Sequence, residues 1–122
     1  MTLLNDLFVV LENHDSETGF ITTIELNAPH VIYTGHFPGH PVTPGVIQMQ
    51  IIHELLEKHF GRRLQLITMA QCKFLKILNP LETPQIVIHI EFHQIGELLK
   101  IKARGENNAD IFFKIDSSFQ FK

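Results

Sequence analysis

The sequence predicts an α+β protein, an antiparallel sheet of about six strands wrapped around one long central helix. Three observations predict it. Only one segment, about residues 44–60, has helical character, and it follows the second strand. Most other segments alternate apolar and polar residues with the period of two that marks a half-buried strand. Strands of that kind have one dry face and one wet face, and the single helix is the only element available to cover the dry one.

Leu7 to Leu11 is apolar and rich in β-formers. Asp15-Ser16-Glu17-Thr18-Gly19 is a turn signal, and Phe20 to Leu26 sets Phe20, Thr22, Ile24 and Leu26 against Ile21, Thr23 and Glu25. The pair reads as a hairpin. Thr34 to Pro44 cannot be regular structure. It holds three of the six prolines, which fix φ and lack an N–H, and two of the seven glycines. It reads as a tightly specified loop carrying His36. Thr43 suits an N-cap and Pro44 the first helical position. Val46, Ile47, Met49, Ile51, Ile52, Leu55, Leu56 and Phe60 cover more than one stripe, which marks a largely buried helix. Lys58 and His59 complement the last turn, and Gly61 is a natural stop.

After Gly61 only strands are expected. Gln65 to Leu78 is long and partly alternating. Gln85 to His93 points Ile86, Ile88, Ile90 and Phe92 one way. Gly96-Glu97 makes a turn, Leu99, Ile101 and Ala103 continue the dry face, and Gly105 to Asn108 reads as a hairpin turn. Ile111, Phe113, Ile115, Ser117, Phe119 and Phe121 form the last alternation.

The 122 residues suffice for one domain, 1–122, with a real core, and 44% hydrophobic residues argue against disorder. No run of 18 apolar residues and no basic leader is present, so neither a membrane span nor a signal peptide is expected. A lone cysteine, Cys72, fits a reducing cytoplasm. The net charge of −3 argues against nucleic acid. The charge is unevenly spread. Residues 1–57 contain seven acids and no Lys or Arg, whereas 58–76 contain Lys58, Arg62, Arg63, Lys73 and Lys76 and no acid. Such a segment is expected either to dock an acidic partner or simply to be solvated. His36 and His40 are interrupted by Pro38 and Gly39, and His53-Glu54 is followed by Glu57 where a zinc peptidase motif needs histidine, so no metal is expected. Nothing around Cys72 points to an activated thiol. The phenylalanines near the C-terminus, Phe112, Phe119 and Phe121, read as core or dimer contacts.

His36-Phe37-Pro38-Gly39-His40-Pro41-Val42-Thr43-Pro44-Gly45-Val46 resembles the signature of the β-hydroxyacyl-acyl-carrier-protein dehydratases. Cys72-Lys73-Phe74-Leu75-Lys76 more weakly resembles the strand that follows the helix in that family. The resemblance implies the hot-dog fold, no metal or dissociable cofactor, and a dimer whose sites are shared between subunits. It implies that His36 removes the proton beside a thioester carbonyl, that the Val42 carbonyl orients His36, and that the Gly45 N–H binds the thioester oxygen. It places the catalytic Glu or Asp fourteen residues after the histidine. Here that position is Gln50, which can donate a hydrogen bond but has no proton to give at neutral pH. Three ways round this are open: Glu54 one turn on, an acid supplied by a related subunit in a heterodimer, or an activated substrate for which Gln50 suffices. The expected activity is dehydration of 3-hydroxyacyl groups held on acyl carrier protein, with Lys58, Arg62, Arg63, Lys73 and Lys76 docking the carrier. A non-catalytic subunit and a hot-dog thioesterase are the alternatives.

Overall fold

The computed structural model describes residues 2–34 and 40–122. The chain runs β1 (Phe8–Asp15), β2 (Gly19–Leu26), a 3₁₀ turn (Val31–Tyr33), α1 (Gly45–Phe60), β3 (Leu64–Phe74), β4 (Gln85–Ile95), β5 (Leu98–Asn107) and β6 (Asp110–Phe121). The six strands form one sheet in the order β1-β2-β4-β5-β6-β3, every neighbouring pair antiparallel. The long helix inserted after β2 thus sends the chain to the far edge, and β3 pairs with the last strand.

Alternation places the core. Phe20, Thr22, Ile24 and Leu26 of β2 are buried, as are Ile86, Ile88 and Ile90 of β4, Leu99, Ile101 and Ala103 of β5, and Phe113, Ile115, Ser117 and Phe119 of β6. The apolar ones meet Ile47, Ile51, Ile52, Leu55 and Leu56 of α1 in one cluster. Each buried Leu, Ile or Phe among them contributes roughly 1.5–3 kcal/mol through burial. Aromatic contacts fix the C-terminal half of the helix. His59 stacks on Phe20 with ring centroids 4.5 Å apart, Phe60 meets Phe92 and Phe121 at 5.0 and 5.4 Å, and His53 meets Phe119 at 5.0 Å.

Several expectations change in detail. Pro44, not Thr43, occupies the N-cap position, and no side chain caps the helix there. The Thr43 hydroxyl instead shares a hydrogen bond of 2.9 Å with the Tyr33 hydroxyl, and its carbonyl accepts from Gln48 Nε2 at 2.9 Å. A buried partner thus takes the group that local chemistry offered to the helix. Gly105 is not in a turn. It lies within β5, where a Cβ would stand 2.3 Å from the Phe113 ring. The turn falls at Asn108, with φ of 53°. The irregular register between Gly105 and Glu106 lets both Phe112 and Phe113 be buried. Gly61 ends α1 in the left-handed conformation, φ 64°, as expected.

The helix is not buried all round. Val46 is exposed, and Gln50, His53 and Glu57 lie along a half-buried stripe facing away from the core. No helix among the described residues is long and apolar enough to cross a membrane.

Candidate active site at the helix N-terminus

The chain enters α1 through Pro41 to Pro44, and the first helical residue is Gly45. The Ile47 and Gln48 N–H groups donate to the Pro44 carbonyl, while among the described residues those of Gly45 and Val46 have no backbone partner, so this end favours developing negative charge. A neighbour crowds Gly45. A Cβ would lie 2.6 Å from the Phe74 ring, which is brought in by the last residue of β3. A cavity of about 300 Å³ opens at this point, and its lining includes Val42, Thr43, Gly45, Gln48, Phe74 and Ile77. Val42 and Gly45, the residues singled out to orient the base and bind the oxyanion, therefore share one largely apolar recess. His36 lies outside the described residues. Gln48 is deeply buried, and among the described residues its Oε1 has no hydrogen-bond partner.

Gln50 belongs to a different recess. Five residues after Gly45 on an α-helix it is turned about 140° away and lies about 7.5 Å further along the axis. It opens on a concavity of about 630 Å³ beside the N-terminal segment, lined by residues that include Leu4, His53, Glu54, Glu57 and Arg63. Its Nε2 donates to Glu54 Oε2 at 2.9 Å. Glu54 is itself held by the backbone. The Leu3 N–H donates to both carboxylate oxygens at 2.8 and 2.9 Å, and the Leu4 N–H to Oε1 at 2.8 Å. Leu3 and Leu7 insert into the core and so pin this segment across the helix. With three backbone contacts and one amide on its oxygens, Glu54 is built into the scaffold, which leaves it poorly placed to serve as a displaced acid. The Gln50–Glu54 spacing of one turn was readable in the sequence. The contribution of Leu3 and Leu4 was not, because it depends on where the N-terminal segment folds back.

The five cations expected to form a docking patch do not come together. Arg63 and Lys73 lie near opposite ends of β3, about 30 Å apart on an extended strand. Lys58, Arg62 and Arg63 cluster at the C-terminal end of α1, where the Arg62 guanidinium sits 4.4 Å over the Phe121 ring and Arg63 faces Glu57 at 3.9 Å. Lys76 pairs with Asp110 at 2.8 Å. Burial pushes the Cys72 thiol up, in keeping with an unreactive cysteine.

A six-stranded antiparallel sheet holding one central helix, with a recess at the helix N-terminus, defines a hot-dog protein. Solved structures of the same shape include the dehydratase heterocomplex ApeI:P from Xenorhabdus doucetiae, at TM-score 0.73 and 15% identity over 92% of this chain and 96% of that one. Another is a hypothetical thioesterase with coenzyme A from Streptococcus pneumoniae TIGR4, at TM-score 0.66 and 11% identity over 94% and 85%. These likenesses establish the fold. The sequence comparisons go further. The family model described as ApeI-like, ApeI dehydratase, matches residues 12–114. The 3-hydroxyacyl-[acyl-carrier-protein] dehydratase FabZ of Rickettsia bellii (strain OSU 85-389) is 33% identical over 91% of this chain and 82% of its own length. The FabZ of Rickettsia rickettsii (strain Sheila Smith) is also 33% identical, over 69% of this chain and 61% of its own length. The chain belongs to the ApeI-like dehydratase family.

Proposed function

We propose that the chain forms half of a two-chain dehydratase that converts 3-hydroxyacyl groups on acyl carrier protein to trans-2-enoyl thioesters. His36 takes the proton from the carbon beside the thioester carbonyl, and the Val42 carbonyl orients its ring. The Gly45 N–H receives the charge that develops on the thioester oxygen, where a donor aimed at a forming oxyanion contributes most. The 3-hydroxyl takes a proton from the carboxylic acid that a related second chain supplies at the counterpart of position 50, and leaves as water from the opposite side of the substrate.

One observation carries this reading. Gly45 and Gln50 open on separate recesses on different sides of α1, so a substrate reaching both needs two chains. The edge of the sheet supports the pairing. β3 is an eleven-residue edge strand, and around it Leu66, Ile67, Phe74, Leu75 and Ile77 are exposed. A long apolar edge of this kind is a template for another strand. In a pair of identical chains the residue facing His36 is Gln50, a neutral hydrogen-bond donor. In a mixed pair a related chain supplies the carboxylic acid, and the heterocomplex named for the Xenorhabdus protein favours that arrangement.

The test is a carrier-bound 3-hydroxyacyl substrate offered to the chain alone and to the chain with whatever subunit co-purifies. Water loss yields the enoyl product, hydrolysis yields free acid and sinks the dehydratase reading, and no product from either preparation sinks it too. His36→Ala is expected to abolish water loss, and unchanged turnover removes His36 from the mechanism.

A further inference from the structure

The strand registers bring together a set of charges that the linear sequence separates. His89 of β4 lies opposite Arg104 of β5, Arg104 opposite Lys114 of β6, and Lys114 opposite Lys73 of β3. Directly paired residues point to the same face of a sheet. Their chain neighbours Ile88, Ala103 and Ile115 are buried against the helix, so this row faces outward. The adjoining row, Glu91–Lys102–Asp116–Gln71, alternates in sign. The first row does not, and like charges directly opposite one another are unfavourable in a sheet.

Glu106 answers part of that charge, at 2.6 Å from His89 and 3.4 Å from Arg104. Among the described residues no acid lies within ion-pair distance of Lys114 or Lys73. On the outward face of β3 to β6, five cations (Lys73, Lys100, Lys102, Arg104, Lys114) meet three acids (Glu91, Glu106, Asp116), a surplus of two in a chain of net charge −3. A groove of about 600 Å³ runs over both rows. The row also ends in a useful place. Lys73 is followed by Phe74, which turns inward onto Gly45, so the last cation is one residue along the strand from the recess at the helix N-terminus.

We propose that the row Arg104–Lys114–Lys73 on the outer face of the sheet docks the acidic carrier protein that presents the acyl thioester. The proposal rests on the dehydratase reading and assigns its partner a surface other than the helix C-terminal cluster. Cations on this face attract an acidic partner over a Debye length and set its orientation, and the nearby edge strand gives the thioester arm a short path to Gly45.

The experiment measures binding of acyl-carrier protein to the chain together with whatever subunit co-purifies with it, by calorimetry at two salt concentrations. It uses Lys73→Glu/Lys114→Glu, the milder Lys73→Ala/Lys114→Ala and Arg62→Glu. Turnover of a small soluble 3-hydroxyacyl thioester is followed in parallel. The charge reversal is expected to weaken carrier binding at least about tenfold and to flatten its salt dependence, the alanine pair less, and Arg62→Glu negligibly. Turnover of the small thioester should stay as in the parent. The alanine pair keeps the test sound if the reversal disturbs folding. Equal weakening by Arg62→Glu, or unchanged binding by both lysine pairs, overturns the proposal. Loss of the dehydratase reading shows separately, as absence of water loss from both substrates.

Discussion

The two recesses beside α1 are built from the same helix yet differ in kind. The one at Gly45 is lined mainly by apolar groups and by backbone N–H groups with no helical partner. The one at Gln50 is crowded with titratable side chains, Glu54, His53, Glu57 and Arg63 among them, several already joined to each other or to backbone. The first suits a passing acyl thioester. The second is a network whose members hold one another in place. Electrostatic preorganisation thus sits at one end of the helix, and side-chain positioning one turn and a half further on.

The sharpest way to break this comparison is to put a carboxyl into the second recess. In Gln50→Glu the new carboxyl would stand where an amide now donates to Glu54 at 2.9 Å. Two carboxylates that close share a proton, and the pair titrates with one pKa raised. Position 50 would then hold a proton near neutral pH, as a general acid must. The chain alone is expected to gain about 10²-fold or more in water loss. In Gln50→Glu/Glu54→Gln an amide next to the new carboxylate favours its ionised form, so the alkaline limb of the pH–rate profile, where a general acid loses its proton, should lie lower than in the single variant. Coincident profiles would exclude coupling between positions 50 and 54.

Glu54→Ala comes next. It removes the acceptor for the Leu3 and Leu4 N–H groups and leaves at least one buried donor unpaired. The expected loss is about 2–4 kcal/mol by denaturant titration. A loss under about 0.5 kcal/mol would mean that the N-terminal segment is held by its leucines alone.

A smaller effect is expected at the first recess. Gly45→Ala forces the Phe74 ring aside, and because that ring is half exposed it can move. Folding should change little, while KM rises by about tenfold, the scale set by one methyl group in a shaped pocket. An unchanged KM would place the substrate elsewhere.

The smallest effect lies on the sheet. Burial pushes the Glu106 carboxyl up, but the hydrogen bond and charge of His89 and the nearby Arg104 outweigh it and hold the group below its ordinary value. A lowered folded-state pKa means that its stabilisation is present above the unfolded value, about 4.3, and is lost as pH falls through the folded one. Glu106→Gln should therefore cost at most about 1 kcal/mol at pH 7, and the difference from the parent should vanish in acid. A difference that persists in acid below the folded-state value would assign it to packing.

Much of this protein was legible in order along the chain. Period-two alternation in Phe20 to Leu26, Gln85 to His93 and Ile111 to Phe121 fixed which residues face the core, because side chains on a strand alternate strictly. The run from His36 to Val46 singled out the helix N-terminus, and the residue at position 50 marked the departure. What failed did so for one reason. Thr43 was available as a cap, Gly105 as a turn and Lys58 to Lys76 as a patch only while their neighbours in space were unknown. Tyr33, Phe113 and the 30 Å length of β3 reassigned each of them.

Local periodicity and backbone chemistry, which act over a few residues, determined the elements, their faces and the residue types at the candidate site. Tertiary structure alone decided which recess each residue opens on, that Glu54 is tied to Leu3 and Leu4, and that Arg104, Lys114 and Lys73 form one row. Those facts depend on strand register and chain reversal, which join residues 72 positions apart, such as Gly19 and Glu91. No local pattern encodes such pairings, because they follow from how the whole sheet closes over its helix.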